Sequence, residues 1–254
     1  MTNSDDLDAA VSTCDFSDGV FRLDACRLVV ADRDWSFQRV NSTAIVRNFR
    51  AAFEQKPDYF NGRIFVLTKA QMKGRVLDGV LAPTDFASYL YWRETGFDVS
   101  QGRDLFGKAI IETADRALLL GRAAPHTMNA GYADLIGGFI DPIDVGYDGK
   151  VDIVASIERE VNEEIGLVPE ELQRQPGFIV SVAGALVALV VHFRTELTSA
   201  EHVTRIADGL GKQCKPELTG VVVIEPELRT NRAALEALHV PAYAVPLIGA
   251  LTLD

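Results

Sequence analysis

Asp152-Ile-Val-Ala-Ser-Ile-Glu-Arg-Glu-Val-Asn-Glu-Glu-Ile-Gly-Leu167 carries a helix, its stop signal and a cluster of like charges. At about 100° per residue, Ile157, Val161 and Ile165 fall on one stripe, with Val154 beside them. Glu160, Glu163 and Glu164 share an arc at the edge of that stripe, so they border buried surface rather than facing away from it. Asp152 and Ser156 continue the same edge toward the helix start. Gly166 ends the helix and Pro169 follows it. Carboxylates at i, i+3 and i+4 repel by a few tenths of a kcal/mol in the open, and by more as water is removed. A hard divalent cation removes that conflict, and Mg²⁺ takes carboxylate, phosphate and water oxygens together. Arg159 is the nearest basic neighbour and can brace a carboxylate. The plain alternative is a solvated acidic helix with no ligand.

Working outward, Leu105–Ile111 reads as a strand, Glu112–Arg116 as a turn and Ala117–Gly121 as the return strand. A loop ends in Gly131-Tyr-Ala, and Asp134–Ile140 reads as a strand carrying Gly137-Gly138. After the acidic helix come strand material at Phe178–Phe193, a short helix or loop at His202–Gly209, a strand at Gly220–Ile224 and a helix at Thr230–Leu238. Before it, Phe21–Val30 reads as one strand, Ala44–Phe53 as a helix and Gly62–Lys69 as a strand. Asp85–Thr95 reads as a helix capped by Thr84, its aromatics serving as core. The order predicts an α/β fold: a mixed sheet with helices on both sides. Residues 1–103 form an N-terminal α+β unit and residues 104–254 the unit with the chemistry.

Composition narrows the partners. The 254 residues carry a formal net charge of −11, which argues against nucleic acid and anionic membranes. Lys69, Lys73 and Arg75 are too small a basic cluster to reverse that. Met1–Asp8 has no basic or apolar region of a signal peptide. The apolar run Val182–Val191 is too short to cross a bilayer as a helix. Three cysteines with no CxxC point to a reducing, cytoplasmic setting.

Arg159-Glu160-Val161-Asn162-Glu163-Glu164-Ile165-Gly166-Leu167 resembles the second half of the box that defines the Nudix hydrolases, with every fixed position filled. Gly137-Gly138-Phe139-Ile140-Asp141 resembles its opening, with Asp where Glu is commoner. About seven residues are inserted between the halves, around Pro142–Lys150. The family's first Glu then falls on Val151, so that its task is either absent or taken over by Asp152 or Asp144. The resemblance covers roughly 104–250. It implies an α/β/α sandwich and a pyrophosphohydrolase using Mg²⁺, or Mn²⁺. Glu160 is implied as base or water orienter, Glu163 and Glu164 as cation ligands, and Arg159 as brace. Asp152 and Glu217, the latter from a later loop, are further candidate ligands. Gly137 and Gly138 shape the substrate loop; Tyr132, Phe139 and Arg122 are candidate substrate contacts, and Arg116 and His126 weaker ones.

The N-terminal flank is similar to that of the UDP-glucose and UDP-galactose hydrolases of this superfamily, through Phe60-Asn-Gly62, Ala82-Pro-Thr84 followed by Asp85–Tyr91, and the interrupted box. That branch splits a UDP-sugar into UMP and sugar 1-phosphate. ADP-ribose, GDP-mannose, an oxidised nucleotide or a coenzyme A derivative stay open as substrates. So does a regulator on the same fold that binds a nucleotide without consuming it. Such domains often pair, so a homodimer is among the expected assemblies. Other chemistries lack a signature: there is no Gly-x-Ser-x-Gly elbow at Ser181–Gly184, and His192 and His202 show no zinc spacing.

Overall fold

A computed structural model describes residues 13–251; the acidic N-terminal stretch Met1–Asp8 lies outside them. In chain order the elements open with β1 (Thr13–Asp15), β2 (Gly19–Leu23), β3 (Ala25–Val30), α1 (Ser36–Val40), α2 (Ser42–Gln55), β4 (Arg63–Lys73), β5 (Val76–Asp85) and α3 (Phe86–Glu94). Then follow β6 (Asp104–Glu112), β7 (Leu118–Ala123), β8 (Ala133–Asp134), α4 (Ile153–Ile165), β9 (Gln173–Arg174), β10 (Phe178–Ala183), β11 (Leu186–Arg194), α5 (Ser199–Leu210), β12 (Leu218–Ile224), α6 (Arg232–Ala237) and α7 (Ala244–Ala250).

The larger sheet runs β12-β7-β6-β11-β10-β2, with β8 on β7 and β9 on β11. It is mixed: β6 and β11 are parallel, whereas β10–β11, β10–β2 and β7–β12 are antiparallel. Strand β11 shows why both faces are covered. Val187, Leu189, Val191 and Phe193 pack in one core with Ile157, Val161 and Ile165 of α4 and Ile206 and Leu210 of α5. Ala188 and Val190 pack in another with Leu235 of α6 and Leu247 and Ile248 of α7. Alternate residues point to opposite faces, so a strand apolar at nearly every position needs helices on both sides. Among the described residues no helix is long and apolar enough to cross a membrane.

The smaller sheet runs β1-β4-β5-β3. Trp35, Phe37, Trp92 and Tyr89 form an aromatic core beside it with Ile64 and Val66 of β4. The single strand expected over Phe21–Val30 is two strands in two sheets. Residues 19–23 pair with β10 of the larger sheet, and residues 25–30 pair with β5 of the smaller. Asp24 makes the corner, its N–H donating to Arg75 O at 2.7 Å. Strand β5 had no counterpart in the sequence reading, and Ala82-Pro-Thr84 lies inside it. Asp85, not Thr84, caps α3, its Oδ1 accepting from Ser88 N at 2.8 Å. Thr84 is buried in the strand and cannot reach the helix end.

Candidate active site

Strands β6 and β7 pair only at Ile111–Leu119 and Glu112–Leu118, then part. The chain from 133 to 138 enters the gap. Its first residues pair with β7, Ala109 N donates to Ile136 O at 2.7 Å, and Gly107 N donates to Gly138 O at 3.0 Å. The strand expected over Asp134–Ile140 is therefore a two-residue ladder followed by a wedge. Gly137 sets the break, with φ +126 and a position where a Cβ would lie 2.5 Å from Gly107 O. A side chain at that φ is disfavoured, and here backbone blocks it as well. The parted strands open a cleft of about 570 Å³ whose lining includes Gly137, Gly138, Phe139, Glu160, Glu164 and Glu217.

Helix α4 brings its carboxylates to that cleft unequally. Asp152 caps its start, accepting from Ala155 N at 3.1 Å, and Gly166 at φ +70 ends it. Ile153, Ile157, Val161 and Ile165 are buried, which fixes its rotation. Glu160 is then held in the cleft at 15 % side-chain exposure, while Glu163 stays at the rim at 59 %. Glu164 accepts from Gly137 N at 3.1 Å, so the wedge and the helix are tied by a charge-assisted bond.

Arg159 is the hub of the rim. Its Nη1 lies 2.8 Å from Glu160 Oε1 and 3.1 Å from Glu163 Oε2. Its Nη2 lies 3.3 Å from Asp141 Oδ2 and 3.0 Å from Asp144 Oδ2, and Nε donates to Asp144 Oδ1 at 3.3 Å. Burial alone would lower the guanidinium's pKa, but these carboxylates raise it. Asp144 also accepts from Ser156 Oγ at 2.7 Å and Asp141 N at 2.8 Å. Asp144 comes from the inserted segment, which is itself pinned to β3: Val30 N donates to Gly149 O at 2.8 Å and Val151 N to Leu28 O at 3.0 Å.

Desolvation dominates the electrostatics. Burial pushes Glu160 up to about 7 against the lowering effect of Arg159, and Glu163 adds to the rise. Burial also pushes Glu164 up to about 7, against Lys108 and the Gly137 N–H, with Glu160 and Glu217 adding to the rise. Among the described residues no group of three His, Cys, Asp or Glu side chains stands converged as a ready-made cation shell. Glu160 and Glu164 nonetheless present hard, desolvated oxygens, and the one guanidinium of Arg159 is shared among four carboxylates, which is the chemistry a divalent cation relieves.

The remaining sequence candidates divide. Tyr132 and Phe139 line the cleft, and Phe139 stands edge-on to Tyr89 with ring centroids 5.0 Å apart. Glu217 lines it from the turn before β12. Arg122 is not in its lining: Nη1 donates to Gly131 O at 2.8 Å and Leu238 O at 2.9 Å, which occupies it in holding two loops. Asp152 is not in the lining either, because the helix cap turns it to solvent.

Sequence reasoning missed three cleft residues. Lys108 is buried, its Nζ donating to Leu135 O at 2.9 Å and Gly137 O at 2.5 Å and lying 3.2 Å from Asp134 Oδ2. A lone lysine inside Leu105–Ile111 was the available signal, since an apolar strand rarely carries a charge without a partner. Asp104 is buried and pushed up to about 6 by burial, against the hydrogen bond it accepts from Tyr89 Oη at 2.7 Å. Arg93 of α3 also lines the cleft, so a residue ahead of β6 supplies part of its wall.

No family model matches this chain, and no curated protein matches it. Solved structures that the chain is similar to include a Deinococcus radiodurans protein, 15 % identical over 57 % of this chain and 81 % of its own, with TM-score 0.40. A MutT protein from Methanosarcina mazei is 19 % identical over 57 % of this chain and 90 % of its own, with TM-score 0.37. A Nudix hydrolase from M. smegmatis is 14 % identical over 58 % of this chain and 81 % of its own, with TM-score 0.37. Likenesses this loose assign no function.

Proposed function

We propose that the chain is a Nudix-type hydrolase that uses Mg²⁺ to cut the pyrophosphate bridge of a nucleoside diphosphate derivative, with UDP-glucose or UDP-galactose giving UMP and sugar 1-phosphate. One observation carries the reading. The segment Arg159–Leu167, which fills the family's fixed positions, puts two desolvated carboxylates into a cleft beside Gly137 and Gly138. Residues 104–254 hold the chemistry, and residues 1–103 contribute Tyr89 and Arg93 to the cleft lining.

In this reading Glu160, Glu164 and Glu217 would hold the cation, with Glu163 completing its shell from the rim. A Mg²⁺ ion held there would supply positive charge against the phosphate oxygens and acidify water beside it. Glu160, held in the cleft by Arg159, would orient the attacking water or take its proton. Arg159 keeps Glu160 and Glu163 in place. Lys108 fixes the carbonyl of Gly137 and so the wedge on which the phosphates lie. Tyr132 and Phe139 offer apolar surface for the base. Phosphoryl transfer depends chiefly on positioning and charge, and these residues supply both.

The test is a panel of nucleoside diphosphate derivatives incubated with Mg²⁺ and read by phosphorus NMR. UMP plus hexose 1-phosphate is the expected outcome, and Glu164→Gln should remove most of it. Products from ADP-ribose or GDP-mannose alone would keep the cut and change the substrate. Orthophosphate as the first product would overturn the cut. The departure at Val151, together with the absence of a preformed carboxylate shell among the described residues, favours one second reading, a nucleotide-binding protein without turnover. Tight nucleotide binding with every substrate intact would establish it.

A further inference from the structure

At the other end of β6 from the cleft, Glu112 closes the strand with its side chain 2 % exposed, and four basic side chains surround it. Arg116 Nε lies 2.9 Å and Arg229 Nη2 3.5 Å from Oε1; Arg194 Nε lies 3.1 Å and His192 Nε2 3.0 Å from Oε2. Burial pushes the Glu112 carboxyl up, but the hydrogen bond from Arg194 and the charges of His192, Arg116 and Arg194 outweigh it and leave the group below the usual carboxylate value. His192 shifts the other way: burial lowers it, against Glu112, and so favours its neutral form.

The charges do not balance. Arg229 is buried and its one positive charge matches the one negative charge of Glu112. Arg116 and Arg194, 49 % and 44 % exposed, have no second carboxylate against them among the described residues. The Arg194 guanidinium donates one hydrogen bond, from Nε, which leaves its terminal nitrogens for another acceptor. In a chain of net charge −11 this is an isolated positive spot. A hollow of about 210 Å³ opens on it, with Arg22 and Arg75 also in its wall. Arg75 is engaged with Asp24 at 2.9 Å.

The backbone adds an independent observation. Arg116 has φ +67 in the turn between β6 and β7. Glycine or asparagine is the usual occupant of such a position, because a Cβ is crowded there. Its side chain pairs with Glu112, and a glycine there would relieve the turn.

We infer that this hollow is a second binding site, separate from the cleft, for a phosphate-class oxyanion. Glu112 fixes the two guanidinium groups so that little freedom remains to be lost when the anion binds. Two fixed guanidinium forks match the charge and oxygens of phosphate, free or at the end of a larger molecule. The space suits that group and not a whole nucleotide. The site lies roughly 13 Å along the strand from Lys108, at about 3.3 Å per residue, so it does not share the cleft's ligands. It stands whether or not the cleft hydrolyses pyrophosphates.

The experiment is a calorimetric titration of the full chain with inorganic phosphate, with a chelator present so that no divalent ion bridges phosphate to the cleft. One site is expected. Arg116→Gly and Arg194→Gln should each weaken it about tenfold or more, the loss of one charge-assisted contact. Arg116→Gly fits the turn better than the arginine, so a melt should show the fold kept or strengthened while binding is lost. Glu164→Gln should leave phosphate affinity unchanged. Methyl phosphate binding as well as phosphate would mark the ligand as the end group of a larger molecule; weaker binding would mark it as the free anion, and both keep the site. No phosphate binding at millimolar concentration, unaltered binding in both arginine variants, or loss of binding in Glu164→Gln would each overturn the inference.

Discussion

The Asp144 carboxylate meets the Arg159 guanidinium through both of its oxygens, at 3.3 Å from Nε and 3.0 Å from Nη2. Asp144 is buried, whereas Arg159 keeps 23 % of its side chain exposed. Asp144→Ala should therefore cost about 3 kcal/mol, the lower end of the range for breaking a buried pair. Urea unfolding measures it. A loss within about 0.5 kcal/mol, the ordinary range for surface substitutions, would remove Asp144 as the brace of the helix.

Stability should fall as pH rises in the absence of divalent ions. Glu160 and Glu164 have folded-state values near 7 against 4.5 for the ordinary carboxyl, so the folded chain holds their protons more tightly. That contribution is complete below 4.5 and is lost as pH climbs through about 7. One such group contributes roughly 1–3 kcal/mol, and the two are coupled. Melting in chelator across this range should show the decline, and Glu164→Gln should flatten it. A melting temperature that rises steadily over the same range would contradict the assignment.

Added Mg²⁺ should reverse that trend. A ligand bound only by the folded state stabilises it by about 2.7 kcal/mol at a hundredfold excess over its Kd. The upward shift in melting temperature should be largest above pH 7, where both carboxylates are ionised, and should vanish in the double variant Glu160→Gln/Glu164→Gln. An equal shift in that variant would place the cation elsewhere.

Gly137→Ala should cost at least about 2 kcal/mol, because the new Cβ meets Gly107 O at 2.5 Å on a backbone at φ +126. Gly74→Ala is the control. It sits at φ +59 with nothing within 4 Å of the added atom, and should cost about 1 kcal/mol. Equal costs in chemical denaturation would mean that backbone crowding at the wedge is not what excludes a side chain.

Helix α4 was legible in the sequence to within a residue because its stripe and stop signal agree: Ile157, Val161 and Ile165 are buried and Gly166 is left-handed. Strands β6 and β7 were legible for a similar reason, their apolar runs being interrupted at a turn, whereas Phe178–Phe193 read only as undivided strand material and is two strands, β10 and β11. The wedge was not. Asp134–Ile140 has a strand's composition, and only the parting of β6 from β7 decides that it cannot ladder with both. Nor could periodicity rank the three glutamates, since an arc of about 100° includes both a cleft wall and its rim. Arg122 and Asp152 were credible by position, but backbone carbonyls and a helix cap engage them. Such local polar partners leave no trace in hydrophobic pattern.

Asp24 is the one residue between a strand that closes the larger sheet and a strand that begins the smaller one. A fragment starting at Asp104 would therefore lack the outermost strand of its own sheet. The amides and carbonyls of Phe178–Val182 that face β2 would stand bare. An uncapped flank of that kind recruits any extended peptide, including its own copies, and invites self-association. The early part of the chain thus acts as a hem on the later part, and dissecting this protein into two halves should yield a precipitate before it yields a well-folded half.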